Sequence, residues 1–102
     1  MHSLVAERRE EIAQLCHKYG VEQLHVFGSA TGEGFDPRKS DLDFAVVFFP
    51  STPSEHYERY FGLVEALEAL FARHIDLVEA KAMRNPYFIL DVNASRELVY
   101  AA

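Results

Sequence analysis

"FGSATGEGFDPRKSDLDFAVVF", Phe27 to Phe48, is the stretch on which the fold turns. It begins where an apolar run, "VEQLHVFG", ends on Gly28-Ser29, and it then crosses a polar loop carrying Gly32 and Gly34. It closes in "DLDFAVVF", whose β-branched and aromatic residues read as a strand. Aspartate is depleted in strands, yet Asp41 and Asp43 stand one residue apart in this one. Side chains at i and i+2 of a strand share a face. The two carboxylates therefore project together, with Leu42 and Phe44 pointing the other way.

Carboxylates held this close repel, and one tends to take up a proton unless a cation sits between them. Hard oxygen ligands of this kind suit Mg²⁺ or Mn²⁺. A third acid, Asp76, interrupts the apolar segment "HIDLVEA". If that strand lies beside "DLDFAVVF", three carboxylates converge with the capacity to hold two metal ions. The competing reading makes these acids exposed edge-strand residues that discourage aggregation. Gly28-Ser29 weighs against it. Glycine lets a phosphate approach the backbone closely, and a serine hydroxyl with the amides that follow can donate to phosphate oxygens. A helical turn beginning there would add free N–H groups. A phosphate cradle beside a metal clamp is what phosphoryl or nucleotidyl transfer requires.

Outward from this stretch the pattern is regular. Val5, Ile12, Leu15, Cys16 and Tyr19 recur at helical spacing and predict one helix over roughly Ser3 to Tyr19, ended by Gly20. Val21 to Phe27 reads as a largely buried strand. After Pro50 and Pro53, a long helix is predicted from Ser54, its N-cap, to Ala72, with Tyr60, Leu63, Val64, Leu67, Leu70 and Phe71 on one stripe. "HIDLVEA" is the third strand. "NPYFILDVNA" is a short helix with Asn85 as cap and Pro86 at its first position, and "ELVY" adds a last strand. This order predicts an α/β or α+β fold, a small sheet flanked by helices. Pattern alone does not fix which strands run parallel.

A chain of 102 residues, 49% apolar and 25% charged, predicts one ordinary globular domain spanning 1–102. The net charge of −6 disfavours nucleic acid as a direct target but admits a nucleotide brought with a divalent metal. The longest apolar run is too short to span a bilayer. The N-terminus turns charged where a signal peptide would be apolar, which predicts a cytoplasmic protein. Cys16 reads as a small buried hydrophobe.

Other residues carry weaker signals. Arg38 and Lys39 lie in the loop before the acids, and Lys81 and Arg84 follow the third strand, where a phosphate tail or a partner would meet them; solvated cations are the plainer reading. His25 and His74 occupy strand positions and read as structural histidines, while His17 and His56 read as helix surface. No Cys/His spacing suggests zinc. Tyr57 and Tyr60 read as tyrosines packed with one edge wet, and the aromatics of "PYF" as core.

"GSATGEGFDPRKSDLD" resembles the G-S-x(about ten)-D-x-D signature of the DNA polymerase beta-type nucleotidyltransferase superfamily. Together with the ending "IDLVEAKAMRNPYFILDVNASRELVY", the chain looks like the minimal nucleotidyltransferase (MNT) antitoxins that pair with HEPN toxins. The resemblance implies a mixed sheet, Mg²⁺ (or Mn²⁺) and a nucleoside triphosphate, usually ATP. It implies that Gly28 and Ser29 hold the β/γ-phosphates, that Asp41 and Asp43 ligate the metals, and that Asp76 completes the metal site and orients or deprotonates the attacking hydroxyl. Ala30 stands where many minimal members carry a basic residue, and the spacer is one residue longer than the commonest form.

The resemblance leads to an expectation of AMP transfer from ATP to a partner hydroxyl, such as a tyrosine of a HEPN-type toxin, with the chain as antitoxin in a homo- or hetero-oligomer. Two alternatives stand beside it. One is a non-catalytic module that neutralises its partner sterically; the other is the catalytic subunit of a small-molecule nucleotidyltransferase.

Overall fold

A computed structural model describes residues 1–31, 36 and 40–102. Arg38 and Lys39 lie outside the described residues. The chain runs α1 (Ser3–Ala6), α2 (Arg9–Lys18), β1 (Val21–Phe27), a 3₁₀ turn (Gly28–Thr31), β2 (Leu42–Phe48), α3 (Pro53–Phe71), β3 (Ile75–Glu79), a second 3₁₀ turn (Ala80–Ala82), α4 (Pro86–Ser95) and β4 (Glu97–Ala101). The four strands form one mixed sheet in the order β3-β2-β1-β4. β1 is antiparallel to β2 and β4, whereas β2 and β3 are parallel.

The helix predicted over Ser3 to Tyr19 is two helices. Arg8, at φ −107° and ψ 11°, leaves the helical region between them. Val5 and Ile12 are both fully buried across this break, so apolar spacing continues through it and conceals it. Gly20 follows α2 at φ +68° as a left-handed C′ residue. α3 is capped by Thr52 rather than Ser54. The Thr52 side chain accepts from the Glu55 amide at 3.2 Å, and Glu55 Oε2 accepts from the Thr52 amide at 3.4 Å, a reciprocal capping box with Pro53 in the first turn. α4 begins as expected, with Asn85 Oδ1 accepting from the Tyr87 and Phe88 amides.

Strand alternation sends residues to two faces. Leu24, Val26, Leu42, Phe44, Val46, Ile75 and Leu77 form the main core with Ile12 and Cys16 of α2 and Leu63, Leu67 and Phe71 of α3. On the opposite face Phe27 and Ala45 pack with Val92, Phe88, Val78 and Met83 into a smaller cluster under α4. α4 is anchored through Phe88 and Val92, so Tyr87, one residue from Phe88, is rotated outward and 79% exposed. Core burial of "PYF" therefore holds for Phe88 in part and fails for Tyr87.

Candidate active site at the paired ends of β2 and β3

The smaller face carries the paired acids. Asp43 is the second residue of β2, an interior strand, and is half-buried. That removes it from the edge-strand reading. Its neighbour across the parallel ladder is Asp76 of β3, and across the antiparallel ladder it is Phe27 of β1. Asp41 and His74 each sit one residue before the first paired residues, Leu42 and Ile75, and the Leu42 amide donates to the His74 carbonyl at 3.3 Å. The parallel register thus lines up Asp41 and Asp43 from one strand with His74 and Asp76 from the other. Single ligand atoms of Asp41, His74 and Asp76 lie within 4.8 Å of one another.

Electrostatics follows from this crowding. Burial, a hydrogen bond with Asp76, and the charges of Asp76 and Asp41 push the Asp43 carboxyl up to about 6, against a smaller opposing pull from His74. A proton between carboxylates is the expected response of such a pair when no cation is present. His74 lies one residue before β3. It is exposed, with Nε2 3.0 Å from Asp76 Oδ1 and Nδ1 3.6 Å from Glu68 Oε2. Its hydrogen bond to Asp76, with the charges of Asp76, Asp41 and Glu68, holds the imidazole above its usual range. His74 stands two residues before Asp76, the same i, i+2 spacing as Asp41 and Asp43, and Glu68 of α3 faces it from the other side.

Gly28 closes the other side. It continues directly from Phe27, at φ +74°, and a Cβ there would lie 2.6 Å from Asp43 Oδ2. The backbone therefore passes the Asp43 carboxylate at a distance that only glycine permits without displacement. The expected helical turn is present as the 3₁₀ segment, closed by Thr31 Oγ1 donating to the Gly28 carbonyl at 2.7 Å. The Gly28 amide itself donates to Ser95 Oγ at 3.1 Å, tying the turn to the end of α4. Ser29, half-buried, is next in the same turn.

Two grooves meet here, both walled by Phe27 and Phe88, whose ring centroids are 5.9 Å apart. One, of about 520 Å³, has Asp43 and Asp76 in its wall together with Tyr60, Phe61 and Val64 of α3. The Tyr60 hydroxyl donates to the Leu77 carbonyl. The other, of about 500 Å³, runs along Gly28, Asn85, Tyr87, Asp91 and Ser95. Lys81 and Arg84 border a different groove beside Val46 to Phe48, at the far end of β2 from Asp43. Because β3 runs parallel to β2, the residues that follow it leave at that far end. His56, on α3, pairs with Glu79 at 2.7 Å near the same groove. No helix among the described residues is long and apolar enough to cross a membrane.

Comparison with known proteins places the chain in a family. Residues 10–102 match the family described as "Polymerase beta, Nucleotidyltransferase". Two Methanocaldococcus jannaschii proteins are similar. "Putative protein adenylyltransferase MJ1379" is 34% identical over 85 residues, covering 81% of this chain and 79% of that protein. "Putative protein adenylyltransferase MJ0128" is 36% identical over 87 residues, covering 84% and 82%. Among solved structures, one described as a "putative minimal nucleotidyltransferase" superposes with a TM-score of 0.72 at 28% identity, covering 95% of each chain. A Shewanella oneidensis complex of a tri-AMPylated HEPN toxin with its MNT antitoxin shares the fold at a TM-score of 0.66 and 15% identity, covering 96% of this chain and 73% of that one. The chain belongs to the polymerase beta nucleotidyltransferase family.

Proposed function

We infer that this protein transfers AMP from ATP to a hydroxyl of a partner protein and thereby acts as the antitoxin of a HEPN-type toxin. One observation carries the reading: Asp43 and Asp76 are register partners, with an Asp41 oxygen close by and Gly28 against the Asp43 carboxylate. The curated relatives named as protein adenylyltransferases favour a protein acceptor, and the shared fold with an MNT antitoxin favours a HEPN partner.

The residues fit a divalent cation. The ligand atoms of Asp41, His74 and Asp76 cluster within 4.8 Å, and Asp43 is crowded enough to hold a proton in a cation's stead. Asp41, Asp43 and Asp76 would hold Mg²⁺ or Mn²⁺, one ion or two. When bound, such ions neutralise carboxylates and triphosphate oxygens together and stabilise charge on the attacking and leaving oxygens. Gly28 permits close approach of the triphosphate, and Ser29 donates to a β- or γ-phosphate oxygen. Asp76 orients the acceptor hydroxyl and takes its proton as the hydroxyl oxygen bonds to the α-phosphorus. The bond from that phosphorus to the bridging oxygen breaks, and pyrophosphate leaves.

The test is transfer of α-phosphate label from ATP to the protein encoded by the neighbouring gene, with Mg²⁺ present. Label on a tyrosine of that protein, lost in Asp41→Asn/Asp43→Asn, is the expected result. Neutralisation of the partner that persists in the double variant, without label, would instead identify a steric inhibitor.

A further inference from the structure

His74 stands where neither the D-x-D pair nor the strand aspartate accounts for it. Its Nε2 is directed at Asp76 Oδ1, 3.0 Å away, and the ring joins Asp41 and Asp76 in the 4.8 Å cluster. Its other nitrogen, Nδ1, faces Glu68 Oε2 at 3.6 Å. A histidine that binds a metal through one nitrogen usually gives the other N–H to a carboxylate, which fixes the ring and raises its basicity. Glu68, on the last turns of α3, is the carboxylate facing that nitrogen, at ion-pair distance. Resting on the metal-dependent reading above, we propose that His74 is a metal ligand through Nε2, and that it tilts the site from Mg²⁺ towards Mn²⁺ and related first-row transition ions.

The chemistry behind this is ligand preference. Mg²⁺ is served by carboxylate and water oxygens and gains little from imidazole, whereas first-row transition ions accept nitrogen and oxygen donors together. A site of carboxylates alone discriminates weakly between Mg²⁺ and Mn²⁺. One imidazole nitrogen, within 4.8 Å of ligand atoms of Asp41 and Asp76, supplies the discrimination. His74 would hold the ion through Nε2 beside the Asp76 and Asp41 oxygens, supplying a nitrogen donor that the carboxylates lack.

Pulsed EPR of the Mn²⁺-loaded protein reads the ligand directly, and Mn²⁺ and Mg²⁺ titrations followed by thermal melting read the selectivity. Imidazole-nitrogen coupling to Mn²⁺ is expected in the wild type and not in His74→Ala. The same substitution should weaken Mn²⁺ binding by about tenfold or more while changing Mg²⁺ binding by less than about threefold. Glu68→Gln should weaken Mn²⁺ binding in the same direction. Absence of nitrogen coupling in the wild type, or a Mn²⁺/Mg²⁺ preference unmoved by His74→Ala, overturns the assignment of His74 and leaves the carboxylate site standing. If neither ion raises the melting temperature of the wild type, the metal site itself falls, and this inference with it.

Discussion

Asp43 and Asp76 face each other across the parallel ladder of β2 and β3, two acids at one register position, Asp43 on an interior strand. The pairing has a cost that pH should reveal. Asp43 is raised from an ordinary 3.8 to about 6 in the folded protein, so the native state binds more protons than the unfolded chain between these values. Its favourable contribution is complete below about pH 4 and is lost as pH rises through about 6. Asp43→Asn should therefore match the wild type near pH 4 and exceed it at pH 7 without metal. The gain should be about 1–2 kcal/mol, after discounting for the solvent that reaches this half-buried group. Paired denaturant melts across that range check it; a gain that is constant with pH would contradict the crowding.

Divalent metal should act in the opposite direction. Ions at a hundredfold excess over their dissociation constant should stabilise the wild type by about 2.7 kcal/mol, raising the melting temperature by roughly 10 °C or more in a domain of this size. Asp43→Asn and Asp76→Asn should lose most of that response. Thermal scans with and without Mg²⁺ measure it.

Gly28→Ala tests the approach of the turn to the site. A left-handed backbone costs a non-glycine residue about 1–2 kcal/mol, and the new Cβ would push against Asp43 Oδ2. The variant should melt lower and lose AMP transfer by more than its fraction unfolded explains. Gly62→Ala provides a contrast. Its Cβ would collide with the Tyr19 ring where α3 meets α2, so it should destabilise without a selective loss of transfer.

Cys16 should be silent in the folded protein. It is fully buried, and burial pushes its thiol up to about 12, so thiolate is scarce at neutral pH. Thiol reagents should label it only as the chain unfolds; labelling at native rates of a free thiol would place it elsewhere. Leu67→Ala, in the same core, should cost about 2–5 kcal/mol, against under about 0.5 kcal/mol for the exposed Tyr87→Ala.

Much of the fold is legible because its punctuation is local. Gly20, Asn85-Pro86 and the alternation in "DLDFAVVF" each state their element on the spot. The cap of α3 is misread as Ser54, although Thr-Pro-Ser-Glu, with Glu55 three residues beyond Thr52, carries the capping-box pattern. The break between α1 and α2 is not legible, because Val5 and Ile12 keep helical spacing across it. Strand direction is hidden for a similar reason: alternation looks the same in parallel and antiparallel pairs. Asp41, Asp43 and Asp76 stand out because acids are anomalous in strands. His74 is less conspicuous: its i, i+2 spacing from Asp76 is legible, but its nearness to Asp41 and Glu68 comes only from the register of β3 against β2 and from α3.

The most direct measurement is an anomalous-scattering map from crystals soaked in Mn²⁺. A peak contacted by the carboxylates of Asp41, Asp43 and Asp76, beside Gly28, is the predicted result. A map in which Mn²⁺ binds elsewhere, or leaves those oxygens untouched at concentrations that raise the melting temperature, would contradict the account.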